Sequence, residues 1–141
     1  MADIIIKQLK GATFIAKGAS NHWVAMDGTD KVGGFDAAAR PLEMVLFGLG
    51  GCTAVDVKTI LEKMKLNIEN IEIEIDSERA DEHPKVFTKI KMVYHFYGKN
   101  LALKKLEKAV NLSKETYCSV TAMLKHSAEF EVSIENHNTA E

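Results

Sequence analysis

One long apolar helix constrains this chain more than any other feature of its sequence. Residues 41–65 hold no proline after Pro41 and predict about 25 helical residues, a rod of about 37 Å. Proline suits the first turn, because its missing N–H would be unpaired there anyway. The apolar positions spread around much of the helix. They are Val45, Leu46, Leu49, Val55, Ile60, Leu61 and Met64. A helix that is apolar on most sides is expected to be central and enclosed.

Alternating and periodic segments on both sides of this helix predict an α+β fold in a single domain, residues 1–141. The predicted strands are residues 3–9, 12–17, 22–26, 68–76, 86–96 and 129–134. The other predicted helices are residues 101–112 and a short one that runs to Lys125, capped by Ser119 or Thr121. The polar edge of residues 68–76 is acidic and that of residues 86–96 is basic, which favours their antiparallel pairing. The predicted order is β-β-β-α-β-β-α-α-β.

Composition excludes several classes of protein. The 141 residues carry a formal charge of -2, with 46% hydrophobic and 27% charged residues, which is typical of a folded globular chain. The sequence shows no basic patch of the kind that is typical of nucleic-acid-binding proteins. The N-terminal apolar run is short and broken by Lys7, so we expect no signal peptide, no membrane association and a cytoplasmic location. The two cysteines are expected to be thiols, since one possible pair does not indicate a disulfide scaffold.

Three glycines weaken the predicted helix beside a cysteine, in the stretch GLGGCTAVDV (residues 48–57). Glycine costs roughly 0.8–1.0 kcal/mol relative to alanine within a helix, so a packing or functional reason is expected. Either another backbone packs closely there, with Cys52 as a small apolar filler, or the glycines clear space for a small molecule to reach the thiol. Cys118 lies at or just before the last short helix, where free N–H groups favour a thiolate. Spacing alone does not show whether the two cysteines approach each other.

The motifs RPLEMVLFGLGGCTAVDV and YCSVTAML together resemble those of the OsmC/Ohr family of peroxide-handling proteins, and most closely its small OsmC-like branch. The resemblance extends over nearly the whole chain, because the order of elements also agrees. It implies an OsmC-like fold, with antiparallel sheets wrapped around the long central helix. It also implies an intertwined homodimer whose two sites lie at the dimer interface.

The resemblance further implies a thiol peroxidase that needs no cofactor and no metal. Cys52 would be the peroxidatic thiolate and would become a sulfenic acid, and Cys118 would resolve it as a disulfide. An external dithiol, such as a lipoylated protein, would restore both thiols. The substrates would be organic or inorganic hydroperoxides, in oxidative stress defence.

The arginine and glutamate that the resemblance implies for activating the thiolate depart here from the family pattern. The family uses an arginine from the N-terminal region, but no arginine precedes Arg40 here. Glu43 lies nine residues before Cys52, which at about 100° per residue is roughly the opposite side of a straight helix. Glu43 serves Cys52 only if the helix bends at the glycines or a second subunit contributes its copy. Otherwise it is a first-turn carboxylate that favours the helix N-terminus.

Asp56 is the main physical objection to a reactive Cys52. It lies one turn later on the same face, where an unpaired carboxylate disfavours a thiolate. A cation must then offset it, and Arg40 is the best candidate by residue type, although a solvated surface charge is an equal alternative. The five histidines show no metal-ligand spacing, and GLGG lacks the lysine of a phosphate-binding loop.

Three hypotheses therefore remain. The first is the hydroperoxide reductase with Cys52, Cys118, Glu43 and Arg40 as its site. The alternative is a non-enzymatic dimer of the same fold that binds a small apolar or thiol-reactive ligand. The third is a structural dimer with inert thiols.

Overall fold

The structure, a computed structural model, describes residues 2–139 and confirms the predicted α+β class and order of elements. The strands are β1 (Ile5–Lys10), β2 (Thr13–Lys17), β3 (Trp23–Met26), β4 (Ile68–Arg79), β5 (Phe87–Gly98) and β6 (Glu129–Asn138). The helices are α1 (Pro41–Lys63), α2 (Leu103–Leu112) and α3 (Ser119–Leu124). Two short turns of helix were not predicted, a 3₁₀ turn at Asp30–Val32 and a π-helical turn at Ser113–Tyr117.

Internal contacts divide the chain into two compact units. The first ends at Phe47 and the second begins at Gly48, so the boundary lies inside α1. The single domain expected from the sequence stays a prediction.

A buried carboxylate organises the first unit, in which β1, β2 and β3 form an antiparallel meander. Asp27 is 1% exposed and accepts hydrogen bonds from the N–H groups of Gly28 (2.7 Å), Phe35 (3.0 Å) and Ala37 (3.0 Å). The Thr13 hydroxyl donates a fourth bond at 3.0 Å. Burial raises the pKa of Asp27, but the four hydrogen bonds together lower it below its ordinary value. The carboxylate thus fixes the loop that leads to α1.

Helix α1 is buried along one stripe only. Leu49, Thr53, Val57 and Leu61 recur every four residues and are the buried positions, whereas Val55 is 66% exposed. The prediction of a helix enclosed on most sides is therefore not met within one chain. The helix ends two residues earlier than predicted, because Lys65 takes a left-handed backbone with φ of 60°.

By length and composition alone, α1 could cross a membrane. An 18-residue window has a mean hydropathy of 1.5, and 22% of it is buried within the chain. The core helix of a soluble protein passes the same test, so this property does not separate the two cases.

The sheet of the second unit has the order β4-β5-β6 and is mixed. Strands β4 and β5 are antiparallel, and the predicted pairing of acidic with basic positions is confirmed where Asp76 faces Lys91 and Glu78 faces Lys89. Strands β5 and β6 are parallel, so the expectation of antiparallel sheets was wrong for this pair. The physical reason is the long connection through α2 and α3, which brings the chain back to the end of the sheet where β5 begins.

Candidate functional site

The two cysteines meet in the second unit, together with an aspartate. The sulfur atoms of Cys52 and Cys118 and a carboxylate oxygen of Asp56 all lie within 4.8 Å of one another. Both cysteines are free thiols. Cys52, in the middle of α1, is partly exposed, whereas Cys118 is 2% exposed. The question that sequence spacing left open is thus answered, since the two sulfur atoms are neighbours.

Hydrogen bonds on both sides of Cys118 fix its position between the π-helical turn and α3. After the π-helical turn, the N–H of Cys118 donates to the carbonyl of Ser113 at 2.8 Å. Cys118 itself caps α3, because its sulfur accepts the N–H of Thr121 at 3.4 Å. The predicted cap, Ser119 or Thr121, was wrong, since Cys118 has the extended backbone of a capping residue and Ser119 is already helical.

Cys118 is held as a thiol rather than a thiolate. Burial is the largest effect and raises the pKa of Cys118, and the hydrogen bond and charge of Cys52 raise it further. The hydrogen bonds with Thr121 lower it without reversing the balance. The thiolate expected from the helix N-terminus is therefore outweighed by desolvation.

A buried chain of hydroxyl groups ends on Asp56. The Thr53 hydroxyl lies 2.7 Å from that of Tyr94 and 2.8 Å from that of Ser113, and Ser113 donates to Asp56 Oδ2 at 3.2 Å. Each hydroxyl has one proton, so the bond to a carboxylate sets the direction as Tyr94 to Thr53 to Ser113 to Asp56. Burial is the main reason that the pKa of Tyr94 is raised to about 12. Electrostatic interactions with Cys118 and Asp56 also raise it, whereas the hydrogen bond with Thr53 lowers it.

Sequence reasoning identified Asp56 but missed its partners. Thr53 was the available signal, as a polar residue within the apolar stripe of α1, while Tyr94 and Ser113 come from β5 and the π-helical turn. No ion pair within residues 2–139 includes Asp56. Asp56 does line a cleft of about 400 Å³ together with Lys63 and Lys108. Lys63 and Lys108 are thus two cations that share a cleft with Asp56.

Arg40 and Glu43 lie together at the start of α1, in the first unit. The Arg40 guanidinium donates to Asp36 and to the carbonyl of Ala38, and the contact with Asp36 raises the pKa of Arg40. Glu43 Oε1 accepts the N–H of Arg40 at 2.9 Å. This is the reciprocal bond of a helix-capping arrangement and agrees with the reading of Glu43 as a first-turn carboxylate. Their roles in activating a thiolate stay predictions.

The glycines beside Cys52 face open space. A side chain built at Gly48 or Gly51 meets no atom within 4 Å, and one at Gly50 meets only Ile75, at 3.4 Å. Within the part of the chain that the structure describes, close packing of another backbone is therefore not their reason. The access interpretation remains.

Comparison with known proteins gives a consistent relationship. The model of the OsmC-like protein family matches residues 33–133. Protein YhfA of Escherichia coli K12 is 40% identical over 120 residues, which cover 85% of this chain and 87% of YhfA. A crystal structure of a hypothetical protein from Aquifex aeolicus VF5 is 30% identical with a TM-score of 0.85, covering 100% of this chain and 98% of that one.

A more distant solved structure shares the fold alone. It is described as an organic hydroperoxide resistance protein OsmC from Legionella pneumophila, with 15% identity and a TM-score of 0.71, covering 96% of this chain and 98% of that one. The expected fold is confirmed, and the family model matches across both cysteines. The chain therefore belongs to the OsmC-like protein family.

Proposed function

We propose that this protein is a thiol-dependent peroxidase that reduces hydroperoxides with Cys52 and Cys118. The observation that carries the proposal is the approach of the two sulfur atoms to within 4.8 Å of each other. A disulfide bond joins sulfur atoms about 2.05 Å apart, so a shift of less than about 3 Å links them.

The reaction balances with the two thiols alone. The Cys52 thiolate attacks one peroxide oxygen, the O–O bond breaks, and the leaving alkoxide takes a proton to become an alcohol. Cys52 is then a sulfenic acid. Cys118 attacks that sulfur, the disulfide forms, and the hydroxyl leaves with the Cys118 proton as water. An external dithiol reduces the disulfide and is itself oxidised.

Exposure and protonation support this division of roles. Cys52 is the partly exposed member of the pair and lies in the stretch with open space at Gly48 and Gly51. Cys118 is buried, and its raised pKa keeps it protonated until the first step is complete. A buried thiol is a poor first nucleophile but can act on a sulfenic acid that is already adjacent.

Substrate and reductant follow from chemistry and relatives. A structural relative is described as an organic hydroperoxide resistance protein, so an alkyl hydroperoxide is the first substrate to test. A lipoylated protein is the proposed reductant, since a dithiol removes the disulfide without leaving a mixed one. The reducing cytoplasm suits the cycle, because thiols are kept reduced there.

A homodimer is part of the proposal. Val55 is 66% exposed on a helix whose opposite stripe is buried. A second copy of the chain would cover this apolar surface, as expected for a helix that is apolar on most sides.

The test follows free thiols after mixing the reduced protein with cumene hydroperoxide. We expect both thiols to disappear at a rate well above that of free cysteine, with hydrogen peroxide as the comparison substrate. Cys52→Ser should abolish the reaction. Cys118→Ser should keep the first step and accumulate a sulfenic acid at Cys52 that a dimedone reagent traps. The proposal fails if wild type reacts no faster than free cysteine, or if Cys52→Ser keeps the wild-type rate.

A binding function is the second candidate. In the second unit, a cleft of about 610 Å³ lies beside α1 and β4, with Val55, Leu66, Ile68 and Ile71 among its lining residues. That volume is within the usual range for small-molecule sites. Slow thiol reaction combined with saturable binding of an apolar dye, weakened by Ile68→Glu, would favour this function over the peroxidase.

A further inference from the structure

The carboxylate beside the two thiols has no role in the peroxidase cycle. Asp56 lies within 4.8 Å of both sulfur atoms. A negative charge at that distance disfavours thiolates, because like charges repel each other. A site built only to form a thiolate would be better without it.

The three groups together are a set of metal ligands. Two thiolates and one carboxylate carry three negative charges, and a divalent cation turns their mutual repulsion into attraction. Thiolate sulfur and carboxylate oxygen are both zinc ligands, at about 2.3 Å and 2.0–2.2 Å. In tetrahedral geometry such ligands are about 3.6–3.8 Å apart. The present separations, all within 4.8 Å, therefore need to contract by no more than about 1.2 Å.

A hydrogen bond fixes the orientation of the Asp56 carboxylate, as is usual for a metal ligand. Ligating carboxylates in metal sites are usually themselves hydrogen-bonded, which fixes their orientation. Here Ser113 donates to Oδ2 of Asp56, and Thr53 and Tyr94 extend the chain into the core. Asp56 also lines the cleft of about 400 Å³, so its carboxylate is reached from solvent on a side that Lys63 and Lys108 share.

We propose that Cys52, Cys118 and Asp56 form a binding site for a thiophilic divalent cation of the zinc class. Binding displaces the two thiol protons into solvent, so the metal is held by two thiolates and the carboxylate, and the fourth position is open to water. Metal binding and disulfide formation exclude each other, because both use the same two sulfur atoms. Oxidation by peroxide would therefore release the metal, and bound metal would protect the thiols.

The test measures metal binding to the reduced full-length protein, with Zn²⁺ in competition with a chromophoric chelator and Cd²⁺ followed by its thiolate charge-transfer absorbance. We expect one metal ion per chain. Cys52→Ser and Cys118→Ser should each lose the absorbance expected for two thiolates. Asp56→Asn should weaken binding by at least about tenfold. Glu62→Gln, which removes a surface carboxylate of the same helix paired with Lys58, should bind as wild type does.

Several results would overturn the proposal. They are the absence of Zn²⁺ and Cd²⁺ binding by the reduced wild type, full binding by either cysteine variant, and equal affinity of the Asp56→Asn and Glu62→Gln proteins. If Asp56→Asn does not fold, as judged by circular dichroism, Ser113→Ala takes its place and should weaken binding while keeping all three ligands. Peroxidase activity is not needed for any of these readouts, so the two proposals fail separately.

Discussion

Replacing Thr53 with valine tests the buried hydroxyl chain that holds Asp56. Valine has nearly the same shape but removes the hydroxyl that bonds to Tyr94 at 2.7 Å and to Ser113 at 2.8 Å. Tyr94 is only 2% exposed, so its hydroxyl is left as a buried donor without a partner, which costs about 1–3 kcal/mol of stability. Ser113 keeps its bond to Asp56 and loses only an incoming one, at about 0.5–1.5 kcal/mol. The expected loss of unfolding free energy is about 1.5–4.5 kcal/mol.

Urea denaturation at a fixed protein concentration measures this loss, since a change in midpoint at constant slope reports stability. Thr59→Val is the matched control, because Thr59 is exposed and its hydroxyl donates only to the carbonyl of Val55, four residues earlier. It should change stability by no more than about 0.5 kcal/mol. Adding Tyr94→Phe to Thr53→Val should recover part of the loss by removing the unpaired hydroxyl. A Thr53→Val midpoint as high as that of Thr59→Val would refute the hydroxyl chain.

Three further predictions concern pH and assembly. The free energy of unfolding should fall by about 3 kcal/mol between pH 10 and about 12, because the pKa of Tyr94 is raised in the fold and the unfolded chain loses this proton first. Alkaline denaturation curves of Tyr94→Phe should lack this fall. Asp27 acts in the opposite direction. Its lowered pKa stabilises the fold above its ordinary value of 3.8, and that contribution is lost as the pH falls through the folded pKa. In acid unfolding curves, Asp27→Asn should therefore lose less stability between neutral and acid pH than wild type does. Val55→Glu should lower the mass measured by light scattering from dimer to monomer, whereas Leu103→Glu, at another exposed apolar position, should not.

The elements were predictable because each has a local signal. Alternation identified the strands, and the proline and the apolar run identified α1 to within two residues of its end. The early end could not be read from the sequence, because a left-handed lysine at position 65 has no signal comparable to glycine. The parallel pairing of β5 with β6 was also hidden, since alternation is the same in either direction.

The site was predictable only in part. The two cysteines were paired through a family resemblance, because 66 positions of separation carry no geometric information. The hydroxyl chain joins residues 41 and 60 positions apart on three elements, so only the folded chain brings them together. Arg40 was selected by residue type, and its guanidinium is bound to Asp36, four residues earlier in the chain.

The central claim is that Cys52 and Cys118 are redox partners within one chain. The most direct measurement is peptide mass spectrometry after the reduced protein reacts with one equivalent of cumene hydroperoxide and the remaining thiols are alkylated. The account predicts a peptide pair linked between Cys52 and Cys118, two hydrogen atoms lighter than the sum of its parts, and restored by a dithiol. Recovery of both cysteines as alkylated thiols, or of Cys52 as a sulfinic acid with Cys118 still reduced, would contradict it.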